Sequence, residues 1–386
     1  MDKKTRFPVL KLLPVLFCFG IMGFIDIVGV ATSYVKQQYD LSDKVANLLP
    51  SMALMWFILI SLPTGILMRR IGRKNTVLFS LAVMAGAMLF CFADDSFSVV
   101  LLSFALLGIG NTVMQVSINP LLKNIVQSGR IASAITFGQF VKAVVSFLGP
   151  ILIGVAAVRF GDWRFVFVLY AAATLLSFLW LFLTPIPREV YDAGEPCGIG
   201  KIFSLLGDKY LLVCFSIILF IVGFEISLMT AVPKYLAECC GLPLEEGALG
   251  CSLFYAAKTV AAFAGALVLA RVSPYKYLKV SLVVSVACFA WFMAFGNLWS
   301  ILISLALVGL ATANVFAIVL SMGMQHKSEY ANEISALMIT GIAGGAILPP
   351  IVGIAADLSD QRSSLFVPMI VLVYILFASV KWLKNK

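Results

Sequence analysis

Charged side chains are scarce in this sequence: Asp, Glu, Lys and Arg make up 12% of its 386 residues, while 61% are hydrophobic. Soluble chains run nearer about 25% charged, and a mean hydropathy of +1.03 excludes an ordinary soluble domain. Histidine is almost missing. The single one, His326, has no nucleophile at a catalytic spacing, and neither His-Glu-x-x-His nor Gly-x-x-x-x-Gly-Lys-Ser/Thr occurs. These gaps argue against an enzyme, against a metal or other cofactor, and against ATP-driven work. The eight cysteines show no metal-ligand or redox spacing, the adjacent Cys239 and Cys240 included, and they read as packing residues. Long hydrophilic segments are lacking too. The net charge of +9 invites a nucleic-acid reading, but in a chain this apolar the placement of Lys and Arg over the loops sets orientation instead. No nucleic-acid partner is expected.

What the chain has is apolar runs of membrane length. About 20 residues suffice to cross a bilayer, and twelve runs follow one another, at 12–35, 46–68, 76–93, 98–122, 132–158, 164–184, 210–233, 247–270, 279–295, 299–324, 333–356 and 364–383. The start, Met1 to Phe7, resembles the n-region of a signal peptide, yet no small-residue cleavage site follows and the apolar run is too long. Twelve spans put both ends on one side. Of the 28 Lys and Arg, 20 lie on that side and 6 on the other, which predicts cytoplasmic termini in a cell membrane, such as a bacterial inner membrane. The longest hydrophilic connection, 185–208, divides the chain into 1–184 and 209–386, each expected to be a six-helix bundle. A monomer is expected.

The two parts repeat at an offset of about 200. Gly23-Phe24 recurs as Gly223-Phe224, with Asp26 following the first and Glu225 the second. Gly65 to Arg70 is echoed by Gly265 to Arg271, Leu106-Leu107-Gly108 by Leu307-Val308-Gly309, and Pro150-Ile151 by Pro350-Ile351. Two parallel six-helix halves are the pattern of major facilitator transporters, whose substrate lies between the halves near the midplane.

Four charges fall near the middle of spans: Asp26, Lys142, Glu225 and Lys258. A carboxylate at the bilayer centre costs about 2.5–3.5 kcal/mol and usually faces a polar pathway or a partner. Two acids and two bases sum to zero, so they serve either as a transport pathway or as a purely structural charge lock. Asn111, Gln115 and Asn119 follow at steps of four, which suggests one polar face ending at Pro120. Amides donate and accept, which suits hydroxyl-rich ligands; interhelical bonding is the competing role. Gln139 sits three residues before Lys142. Spans three, six, nine and twelve carry no central charge, as expected of lipid-facing helices.

With these motifs the sequence resembles the fucose permease branch of the major facilitator superfamily, the fucose/glucose/galactose:proton symporters, over nearly its whole length. Asp26 with Tyr34-Val35-Lys36 resembles the segment bearing that family's coupling Asp. Gln115-Val-Ser-Ile-Asn119-Pro120 is similar to its Glu/Gln-x-x-x-Asn-Pro, and Val222-Gly223-Phe224-Glu225 to its Val-Gly-x-Glu. Arg271-Val-Ser-Pro274-Tyr-Lys276-Tyr-Leu278 and Gly344-Gly345-Ala-Ile-Leu-Pro349-Pro350 also look like the family's, and Lys258 falls near a basic residue of the fucose permease. The loop from Gly65 to Lys74 resembles the superfamily's Gly-x-x-x-Asp-Arg-x-Gly-Arg-Arg/Lys, with Arg69 at the Asp position. The resemblance implies a proton-coupled sugar symporter working by alternating access, with Asp26 and Glu225 handling protons. Gln115, Asn119, Gln139, Lys142, Lys258 and Asn111 would bind substrate. A proton-antiporting exporter of a drug or metabolite is the alternative. Lys142 stands where these transporters usually have Asn, which leaves open a neutral hexose or deoxyhexose and an acidic sugar such as a uronate or sialic acid.

Overall fold

The computed structural model describes residues 7–41, 45, 48–188, 198–241 and 244–383. Among them the regular elements are all helical. Helix α1 runs as Phe7–Met22, a 3-10 turn Gly23–Ile27, and Val28–Gln38. Helix α2 comprises Leu48–Leu54, Trp56–Leu59 and Ser61–Ile71. Then come α3 (Arg73–Phe90), α4 (Phe97–Leu122), α5 (Ile131–Phe160) and α6 (Val166–Leu183). After the connection follow α7 (Lys209–Cys240), α8 (Leu244–Leu269) and α9 (Pro274–Ala294). Helix α10 is Leu298–Thr312 and Val315–His326. Helix α11 is Ala331–Thr340, a 3-10 turn Gly341–Ala343, and Gly344–Leu358, and α12 is Phe366–Trp382.

Among the described residues ten stretches are long and apolar enough to cross a membrane, and α2, bent by 57° between Leu48–Leu59 and Ser61–Ile71, makes an eleventh. Helix α3, at 18 residues, packs on α4 and α6 and completes twelve. The protein is an all-α membrane protein. Helix starts fall where the sequence supplies caps: Ser273 accepts from the Lys276 amide with Pro274 at the first position, and Asn297 accepts from Ser300. Helix α2 ends at Gly72, whose φ of +89° a side chain would resist.

Contacts group the chain into two compact units. One holds Met1–Ile131, Gly138–Ile202 and Tyr330–Ile339; the other holds Ala132–Phe137, Phe203–Glu329 and Thr340–Lys386. Inside each, the repeated glycines mark equivalent helix crossings. A Cβ on Gly23 would lie 2.8 Å from the Lys142 carbonyl oxygen of α5, and one on Gly223 would lie 2.8 Å from the Gly344 carbonyl oxygen of α11. Likewise Gly108 of α4 presses on the Ala53 carbonyl of α2, and Gly309 of α10 on the Phe254 carbonyl of α8. Small residues allow such close approach where lipid supplies no hydrophobic drive. The repeat is thus a repeat of packing.

Large apolar side chains stand exposed along α6 (Leu169, Leu176, Phe182) and α12 (Phe366, Ile370, Phe377). In hydrocarbon this exposure costs nothing.

Candidate functional site

The close crossing at Gly23 brings α1 onto α5 and sets the position of Asp26. The carboxylate sits on the 3-10 turn Gly23–Ile27. Ser146 Oγ lies 2.5 Å from Asp26 Oδ2 and 2.9 Å from the Lys142 carbonyl oxygen. Lys142 Nζ is 3.7 Å from the same Oδ2, with 40% of the Asp26 side chain and 20% of Lys142 exposed. Phe24 stacks on Tyr170 of α6, centroids 3.8 Å apart and planes 4° from parallel, which pins the turn two residues before the carboxylate. An exposed carboxylate at this depth requires a polar surrounding.

Helix α4 passes the same turn. Asn111 is wholly buried, and neither of its side-chain polar atoms has a hydrogen-bond partner among the described residues. Asn119, also buried, donates from Nδ2 to the Gln115 carbonyl at 2.7 Å. Gln115 keeps a little exposed surface and Gln139 is half-buried. Apart from that bond, which Gln115 accepts through its main chain, the two glutamines offer donors and acceptors with no hydrogen-bond partner among the described residues.

The other unit holds the second pair. Glu225 Oε2 and Lys258 Nζ meet at 2.6 Å, with 14% and 25% of the side chains exposed. This contact is shorter and more enclosed than that of Asp26. Lys258→Met should strand a carboxylate and lower stability by about 3 kcal/mol, the low end for a broken buried pair because both groups keep some exposure. Thermal unfolding in detergent reads this directly, and a variant melting with the parent would show the pair to be dispensable.

Two further centres lie near helix ends. In the first unit Arg69 of α2 pairs with Glu333 of α11, which is 1% exposed. Beside it Arg73 donates to Asn332 at 2.7 Å and to Asn124 at 2.6 Å. Glu333 went unnoticed in the sequence because it stands at the edge of an apolar run and reads as a boundary. The departure at Arg69 was the available signal, since a reversed charge calls for a reversed partner. In the second unit Asp208 accepts from Lys327 at 2.8 Å and contacts His326 at 3.1 Å, with His326 stacked on Tyr210 at 4.2 Å. Burial pushes the Asp208 carboxyl up, but bonds from Lys327, His326 and the Tyr210 amide outweigh it and hold the group at about 2. A depressed carboxyl stabilises above its unfolded value and loses that contribution only as pH falls toward 2. Transport changes between pH 5 and 8 therefore do not arise from Asp208.

A cleft of about 340 Å³ opens among Tyr34, Gln37, Gln38, Gly161, Asp162 and Trp163. It lies at the far ends of α1 and α5, away from Asp26. Gln38 is already engaged by Trp163 at 2.8 Å and Asp162 by Arg164 at 2.7 Å, so it does not compete as the site.

The Major Facilitator Superfamily model matches residues 12–350. A glucose/galactose transporter of Brucella abortus biovar 1 (strain 9-941) is 26% identical over 380 residues, covering 93% of this chain and 90% of the relative. The solved structure of the major facilitator transporter FucP in the outward conformation superposes with a TM-score of 0.87 at 16% identity, covering 97% of this chain and 99% of that one. That of the E. coli fucose:proton symporter FucP gives 0.84 at 15%, with the same coverage of 97% and 99%. At these identities the structures speak for the fold alone. The family match runs from α1 into α11, and so the chain belongs to the major facilitator superfamily, a family of transporters and not of enzymes.

Proposed function

We propose that this protein is a proton-coupled symporter of a neutral hexose, working by alternating access in the inner membrane of a bacterium with both termini in the cytoplasm. The observation that carries this reading is the Asp26 centre: a partly exposed mid-span carboxylate that Ser146 meets at 2.5 Å and Lys142 at 3.7 Å. Asp26 takes the proton, and Gln115, Gln139 and Asn119 bind sugar hydroxyls, for which groups that both donate and accept are suited. Both mid-span ammoniums have carboxylate partners within their own units, so an acidic sugar could pair with Lys142 only after Asp26 is protonated, a condition that a neutral sugar does not impose. This favours a neutral sugar over a uronate or sialic acid. The naming of the Brucella relative as a glucose/galactose transporter agrees, as does the description of FucP as a fucose:proton symporter. Residues 1–184 and 209–386 form the two halves, and the unit of function is a monomer.

The test is an uptake panel in proteoliposomes, spanning glucose, galactose, fucose, glucuronate and sialic acid, with and without an inward proton gradient. A neutral hexose accumulating with inward positive current supports the reading. Electroneutral uptake of an acidic sugar overturns the substrate class, and an inward gradient that drives solute out overturns symport in favour of an antiporting exporter.

A further inference from the structure

We infer that the start of α7 and the end of α12 form a binding site for an anionic phospholipid, with Lys209 and Lys381 taking the headgroup phosphate beside Trp382. The site goes beyond the symport reading above and does not depend on the solute carried or on proton coupling.

Two ammoniums converge on one indole. Trp382 closes α12 with 43% of its surface exposed. Lys209 Nζ, at the first residue of α7, lies 5.8 Å from the centre of its ring, and Lys381 Nζ lies 5.3 Å from the same ring. Lys381 is also 5.2 Å from the Phe377 ring, one turn back along α12. Both lysines are exposed. A ring face attracts a cation but carries no net charge, so a carboxylate is the expected partner for such a group. Neither lysine has one among the described residues. Helix α12 and α9, which packs on it, contain no Asp or Glu, and α7 has none before Glu225. Asp208, next to Lys209 in the chain, is turned elsewhere: it accepts from Lys327 at 2.8 Å, contacts His326 at 3.1 Å and accepts from the Tyr210 amide at 2.9 Å. Two positive charges therefore stand at this end of the second unit without an anion.

The surface beyond them says what the anion is. Leu212, one turn past Lys209 on α7, and Phe377 and Val373 on α12 are exposed apolar side chains. Ammoniums and an indole at the helix ends, followed by an apolar strip into the span, match the order of a phospholipid from headgroup to acyl chain. Lysine stems lie along apolar surface while their charges stay at the interface, tryptophan favours the headgroup level, and lysines near the bilayer surface attract anionic lipids. A soluble phosphate would engage the two cations and leave the strip bare; a phospholipid covers both. The general excess of Lys and Arg on one side of the membrane does not require two of them on one ring. Arg130, exposed before α5 as Lys209 is at the start of α7, has no such aromatic partner and serves as the control. A lipid held at Trp382 anchors α7 and α12 at headgroup depth.

Native mass spectrometry of the full chain in detergent, titrated with phosphatidylglycerol or with phosphatidylcholine of the same acyl chains, tests the site. The parent should hold one phosphatidylglycerol about thirtyfold more tightly than phosphatidylcholine, the attraction expected of two lysines. Lys209→Gln and Lys381→Gln should each lose about fivefold of that preference, and the double variant should lose all of it, whereas Arg130→Gln should keep it. Thermal unfolding separates loss of the site from loss of the fold. Phosphatidylglycerol should raise the midpoint of the parent by mass action and leave the double variant unmoved, while the two proteins unfold alike in phosphatidylcholine. Equal retention of both lipids by the parent, or a double variant that keeps the preference, overturns the inference. Inorganic phosphate displacing the lipid at equal concentration would make this a site for a free anion, and a dimer abolished in the double variant would make it an interface between copies; either overturns it as well. These measurements contain no sugar and no proton gradient, so failure of the symport reading leaves their outcome unchanged.

Discussion

Asp26→Asn will exchange hexose across a proteoliposome membrane at close to the parent rate and will fail to concentrate it. The amide has the size of the protonated carboxyl and can still meet Ser146 Oγ, 2.5 Å from the carboxylate in the parent, so the loaded conformation is preserved. It cannot take or release a proton. The carrier then behaves as though always protonated, and both loaded and empty forms reorient without coupling. One charge crossing 100 mV is worth about 2.3 kcal/mol, and so about forty-fold accumulation of a neutral solute before any pH difference is counted. The variant should bring that ratio to one and abolish the sugar-dependent current. Lys142 loses its partner, but with 20% of its side chain exposed the cost to stability should be modest. Label inside against label outside at steady state decides the matter. A variant that still accumulates hexose several-fold removes Asp26 from the coupling step, and Glu225 would inherit it.

Much of this architecture was legible in the residues, for reasons that differ by feature. Twelve spans could be read because a membrane forces each crossing to be long and apolar. The exceptions prove instructive. Helix α3 is short and opens on Arg73 and Lys74, so it falls below the usual standard of length and apolarity, and α2 is broken near Ile60. The repeat was visible because close helix crossings demand glycine, and Gly108 and Gly309 meet equivalent carbonyls. Local conformation was hidden. Nothing in the spacing around Gly23 announces a 3-10 turn, although that turn aims Asp26 at α5. The amides of α4 looked like one face, yet a helix of 3.6 residues per turn drifts about 40° at each four-residue step. Asn111 accordingly ends wholly buried while Gln115 keeps some surface. Pairings were hidden most of all. Four mid-span charges permit more than one pairing, and the choice of Lys142 for Asp26 and Lys258 for Glu225 depends on contacts between distant helices.

The same holds for Arg69, from which comes the second large expected effect. Arg69→Glu should unfold at a lower temperature than the parent and lose most uptake, whereas Arg69→Glu combined with Glu333→Arg should recover most of both. In the parent, Glu333 is almost fully enclosed and Arg69 is its ionic partner. Removing one member of such a pair costs about 3–5 kcal/mol because the other charge stays buried, and placing two carboxylates together costs more. Around the pair the packing is tight. Gly65 would bring a Cβ to 2.9 Å from Ala336, and Ser335 donates to the Val116 carbonyl at 2.7 Å, so α11 cannot slide away to hydrate an unpaired group without breaking other contacts. Recovery in the double variant should be incomplete. Glu333 lies in the first turn of Ala331–Thr340, where the helix dipole favours an acid, and an arginine there forfeits about 0.3–1 kcal/mol that the restored pair does not return. Arg73, bonded to Asn332 and Asn124, serves as an internal control, since neither of these two bonds involves the exchanged side chains. The four proteins of this cycle, compared by thermal unfolding and by initial uptake rate, isolate the coupling between the two positions. Additive losses in the double variant would mean that Arg69 and Glu333 act apart, and the loop motif would then be a basic surface with no charge-exchanged partner on α11.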